Sequence, residues 1–95
     1  MSESTVNPPR LARYVVELST PGRGWSDIQS IGVRARGACE ELRKSGTAVR
    51  FLRSVFVPED GSCFLLFEAA SAEDAGLAAA RAELGVESVV EAVRP

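Results

Sequence analysis

The stretch Phe51–Ala69, FLRSVFVPEDGSCFLLFEA, holds two apolar, β-branched and aromatic runs pinched around Pro58-Glu59-Asp60-Gly61-Ser62. Proline, acidic residues and glycine between two such runs are the marks of a turn, so the stretch reads as a β-hairpin over about 48–57 and 63–69. Polar residues interrupt both runs: Arg53 and Ser54 before the turn, Glu68 after it. A strand buried on both faces would carry none of them. The hairpin therefore belongs to a sheet covered on one side and left open or covered by something else on the other.

Working outward, "RYVVELS" at 13–19 is a short β-branched strand that ends at the loop "TPGRG". Ser26 followed by Gln29 has the form of a helix capping box, and Ile28, Ile31, Ala35, Ala38 and Leu42 recur at three- and four-residue intervals, which predicts an amphipathic helix. Lys44-Ser45-Gly46 closes it with a cation and a glycine. Gly32 and Gly37 inside this helix each cost about 1 kcal/mol relative to alanine. Close packing or a bent, marginal helix accounts equally for them. Beyond the hairpin, Ser71 to Asp74 repeats the capping pattern, an alanine-rich helix runs to Leu84 and ends at Gly85, and "ESVVEAV" is a last strand. The order βαββαβ is the α+β, ferredoxin-like (split βαβ) arrangement: a four-stranded antiparallel sheet with two helices on one face. Residues 1–12 read as a flexible N-terminal tail and 13–95 as a single domain.

Pairing Val57 with Cys63 without a bulge gives two faces. Phe51, Val55, Val57, Cys63, Leu65, Phe67 and Ala69 form the helix-covered face, with Arg53 an awkward member; Tyr14, Val16 and Leu18 join them. The mixed face carries Leu52, Phe56, Phe64 and Leu66 together with Arg50, Ser54 and Glu68, and on the first strand Val15, Glu17 and Ser19. Large apolar groups on a helix-free face need a cover. A second copy packed sheet against sheet, or a ligand in a pocket that a dimer roofs, are the two candidates. Glu17, Arg50, Ser54, Phe56, Phe64 and Glu68 are the candidate ligand-binding residues: a small molecule would lie on the aromatic rings and be oriented by the polar groups. The plainer alternative is that Arg50 and Glu68 form a solvent-edge ion pair of little energetic weight.

Composition removes other classes. The chain has 95 residues, a net charge of −2 and no histidine. It offers no basic face for nucleic acid or an anionic membrane, no membrane-length apolar run, and no signal-peptide pattern, so a cytoplasmic protein with no nucleic-acid or membrane partner is expected. Without imidazole, any general base would have to be a carboxylate, Tyr14, lysine, arginine or a thiol. Cys39 and Cys63 lack metal-type spacing and read as buried free thiols. "GRGWSD" lacks the third glycine of a dinucleotide fingerprint and the lysine of a phosphate loop, and is a loop that places Trp25 at the edge of core or pocket. No cofactor and no metal site is expected.

Three segments, "YVVELS", "AVRFLRSVFVPEDGSCFLLFEAASAE" and "VVEAV", resemble a family of small bacterial ferredoxin-like proteins, often labelled nickel-binding-protein-like. The match covers nearly all of the chain after the tail, and its most specific part is V-R-aromatic-L-x-S, then V-P-E-D, then C-F-L-L-F-E-A. The resemblance implies a homodimer of ferredoxin-like protomers with a metal- or small-ligand-binding role, and it adds weight to Glu17, Arg50, Ser54, Glu59, Asp60 and Glu68. The function expected is a dimeric small-molecule (or metal) binding protein with its site on the helix-free sheet face. The alternative is a cofactor-independent isomerase, cyclase or monooxygenase that uses Glu17 or Glu68 as a base and Arg50 to stabilise an oxyanion.

Overall fold

The computed structural model describes residues 11–20 and 24–92. Most of the expected tail, residues 1–10, and the loop residues 21–23 lie outside the described residues. The elements are β1 (Ala12–Ser19), α1 (Trp25–Lys44), β2 (Val49–Val57), β3 (Ser62–Ala69), α2 (Ala72–Arg81) and β4 (Val86–Ala92). The four strands form one antiparallel sheet in the order β2-β3-β1-β4, with both helices on one face, as the βαββαβ pattern predicts. β1 begins at Ala12, one residue inside the expected tail.

Between helices and sheet lies a single core. Tyr14, Val16 and Leu18 of β1 and Cys63, Leu65, Phe67 and Ala69 of β3 meet Ile28, Ile31, Ala35, Cys39 and Leu42 of α1 and the alanine face of α2. Alternation along β1 and β3 and the three-to-four spacing along α1 are therefore both satisfied by one buried layer. Phe51 and Phe67 pack edge to face, with ring centroids 5.6 Å apart. Thr20 is the buried polar residue of this layer, and both its hydroxyl (3.2 Å) and its N–H (2.6 Å) donate to the carbonyl of Gly61, tying the end of β1 to the hairpin turn.

The helix ends differ from expectation in two places. α1 is capped at Gly24, not Ser26: the Gly24 N–H donates to Asp27 Oδ2 at 3.1 Å, and that carboxylate sits in the first turn where the helix dipole favours it. α2 stops after Arg81 rather than running to Leu84, and Glu83, not Gly85, takes the left-handed position with φ 61°. Glu83 N–H donates to Ala80 O and Leu84 N–H to Ala79 O, the two bonds of a Schellman cap. The Arg34 guanidinium from α1 adds bonds of 3.0 and 3.1 Å to the carbonyls of Ala82 and Glu83, so the cap is held from outside the helix. The other caps follow the sequence: Asp74 N–H donates to Ser71 Oγ at 3.1 Å, and Gly46 ends α1 with φ 96°.

Candidate functional site

The register of the hairpin decides what faces where. β2 and β3 pair in phase from Val49 opposite Ala69 to Phe51 opposite Phe67; then Leu52 is skipped, and Arg53 stands opposite Leu66, Val55 opposite Phe64 and Phe56 opposite Cys63. The bulge at Leu52 inverts every side chain that follows it. In an unbulged register Arg53 would sit beside Phe67 in the core, where an unpaired guanidinium is strongly disfavoured. One extra residue moves it to the open face and turns Phe56 inward.

Two of the expected site residues are thereby relocated. Phe56 packs against the core, and Ser54 stands opposite fully buried Leu65 on the helix side, so neither belongs to the helix-free face. Val55 and Val57, expected in the core, face outward with Arg53, and Val55 is 53% exposed. Leu52 lies at the bulge itself. The remaining four, Glu17, Arg50, Phe64 and Glu68, do share the open face.

Cross-strand pairing resolves that face into rows. One row runs Arg50, Glu68, Arg13, Ala92 across β2, β3, β1 and β4; the next runs Arg53, Leu66, Val15, Val90; the third runs Val55, Phe64, Glu17, Ser88. The centre is apolar, with Phe64, Leu66 and Val15 half-buried and Val90 56% exposed. Three arginines surround Glu68 at one corner, and Glu17 stands at the opposite one, where it accepts a hydrogen bond from the Ser88 hydroxyl at 3.4 Å. Arg50 and Glu68 are direct cross-strand partners, yet they do not close into an ion pair. The ion pair found among the described residues is the exposed Arg81–Glu41 contact at 3.3 Å. Sequence reading missed Arg13, Arg53, Val55 and Val90 on this face. The misfit of Arg53 in the core was the available signal for the bulge.

Two other features bear on chemistry. Cys39 and Cys63 are both buried free thiols, as expected. Burial raises the Cys39 pKa from 9.0 to about 11, with Arg43 and a hydrogen bond to the Phe51 backbone pulling the other way, and burial raises Cys63 as well. Neither is an activated nucleophile or a ready thiolate ligand. Glu59 and Asp60 sit exposed on the turn, away from the carboxylates of the open face. Among the described residues, no three histidine, cysteine, aspartate or glutamate side chains gather where an ion could be held. With no imidazole in the chain, the donor set does not fit nickel.

Among the described residues no helix is long and apolar enough to cross a membrane. No family model matches the sequence, and no curated protein matches it. Among solved structures, the crystal structure of SCO4226 from Streptomyces coelicolor A3(2) is similar, with a TM-score of 0.69 and 20% identity over 88% of this chain and 99% of that one. At that identity the likeness shows the shared fold alone.

Proposed function

We propose that the chain is a dimeric small-molecule-binding protein, with the ligand held on the helix-free sheet face and roofed by the same face of a second copy. The observation that supports this reading is the contiguous apolar centre made by Val15, Val55, Phe64, Leu66 and Val90 across all four strands. The helix side already has its own filled core, so these side chains are not needed there. Two charges on the face, Arg13 and Glu17, lie on one strand at opposite ends of the apolar centre. A two-fold partner lying with its strands reversed exchanges the Arg13 row with the Glu17 row, so that the Glu17 of each copy comes toward the Arg13 of the other. A ligand between the copies would lay an apolar body on Phe64 and Leu66, present an anionic group to Arg13, Arg50 or Arg53, and donate a hydrogen bond to Glu17.

The test is a small-molecule screen by thermal shift on the wild type, repeated for each hit on Glu17→Gln and Glu68→Gln. Loss of the shift in at least one variant, with the unliganded melting temperature within a few degrees, is the expected result. Equal shifts in all three proteins would mean that these carboxylates only decorate the rim.

A further inference from the structure

A second surface lies on the other side of the sheet, between the first half of α1 and edge strand β2. Here Trp25, Ile28, Val33, Phe51 and Leu52 line an open groove of ≈ 320 Å³. Three features empty it. Gly32 presents no side chain from α1, Ser54 is small where its cross-strand partner Leu65 is large, and the bulge at Leu52 breaks the ladder beneath. Packing does not force the glycine: a Cβ at Gly32 would meet the Phe51 ring at 3.8 Å, an ordinary contact. Trp25 (62% exposed) and Val33 (68% exposed) stand on its helix side as unburied apolar walls.

Its charge has one sign. Arg36 of α1 and Arg53, the edge-strand residue that the groove shares with the open sheet face, are the charged residues lining it, and no acidic residue among the described ones lines it. The Arg36 guanidinium lies 5.3 Å from the centroid of Phe51, whose ring is itself seated against Phe67. A guanidinium fixed over a ring keeps its N–H fork free for an acceptor and holds it at the groove. The size is at the low end of small-molecule sites, roughly 300–1,000 Å³.

We propose that this groove binds a small organic carboxylate with an aromatic or aliphatic body, the carboxylate on Arg36 and the body against Trp25, Val33 and Leu52. This site lies on the helix side of the sheet, shares Arg53 alone with the open face and does not use it for the carboxylate, so it stands whether or not a ligand binds on that face. Isotope-labelled protein is titrated with phenylacetate and with its neutral counterpart phenylacetamide, and backbone and indole shifts are followed. Phenylacetate is expected to move Trp25, Gly32, Arg36 and Ser54, with phenylacetamide binding roughly tenfold more weakly. Arg36→Gln, at an exposed position, is expected to erase the difference between the two ligands. Gly32→Leu, which fills the groove from α1, is expected to abolish binding of both. The proposal is overturned if the amide binds as well as the acid, if the shifts map to Val55, Phe64 and Leu66, or if neither compound binds at millimolar concentration. Shifts of the groove residues that follow protein concentration without ligand would also overturn it, by showing that a second copy occupies the groove.

Discussion

Phe56 stands directly opposite Cys63, on the helix-covered side of the sheet, while its neighbour Val55 stands opposite Phe64 on the other. The alternation of β2 therefore changes phase at Leu52, and residues on either side of the bulge respond differently to truncation. Phe56→Ala is expected to destabilise the protein by about 2 to 3 kcal/mol, below the 3–5 typical of a fully buried aromatic because Phe56 is only half-buried. Arg53→Ala is expected to stay within about 0.5 kcal/mol. Urea unfolding of both variants checks the register, and reversed magnitudes would restore the unbulged pairing.

The two helix C-termini provide an internal control. Both close with a Schellman cap, but α1 uses Gly46 at φ 96° and α2 uses Glu83 at φ 61°. A side chain in the left-handed region costs about 1 kcal/mol that glycine avoids. Glu83→Gly is thus expected to stabilise the fold by about 0.5 to 1 kcal/mol, and Gly46→Ala to destabilise it by about 1 kcal/mol. Thermal melts read both, and opposite signs at the two positions are the diagnostic.

The thiols give a pH dependence of known direction. Cys39 is raised in the folded protein to about 11, so on raising the pH the unfolded chain loses its thiol proton first. The unfolded state then binds fewer protons than the native one, and stability falls with rising pH. The contribution is complete below about pH 9 and is lost progressively from there through about pH 11; Cys63 is raised in the same direction and acts with the same sign. Cys39→Ala is expected to flatten that part of the stability curve. A thiol reagent at pH 8 is expected to modify both cysteines only after denaturant is added, and rapid labelling of the native protein would contradict their burial.

Much of the fold was legible because its signals are local. Alternation in "YVVELS" and "CFLLFEA", the spacing from Ile28 to Leu42, and the Ser71 cap each need only a few residues to be read. The misplacements of Ser54 and Phe56 share one cause: a bulge has no composition of its own at Leu52, and its only trace was a charge, Arg53, in a position where burial would leave it without a partner. The cap at Glu83 escaped for a related reason, since the Arg34 bonds that hold it come from a residue 49 positions away. On the open face, Glu17, Arg50, Phe64 and Glu68 were legible from alternation alone. Arg13 was equally legible, since it lies on β1 in phase with Val15 and Glu17, whereas Val90 and Ser88 were not, because their placement depends on which strand adjoins β1.

On the proposed function, a second copy covers the row of Val55, Phe64, Glu17 and Ser88 and the apolar residues beside it. Light scattering on the purified chain at micromolar concentration measures this most directly, with Phe64→Glu as its partner experiment. The wild type is expected to scatter with twice the 10.1 kDa chain mass. Phe64→Glu is expected to dissociate to a folded monomer, because a carboxylate placed at the centre of the interface would be buried without a partner. A wild-type mass of 10.1 kDa with stability independent of concentration would contradict it.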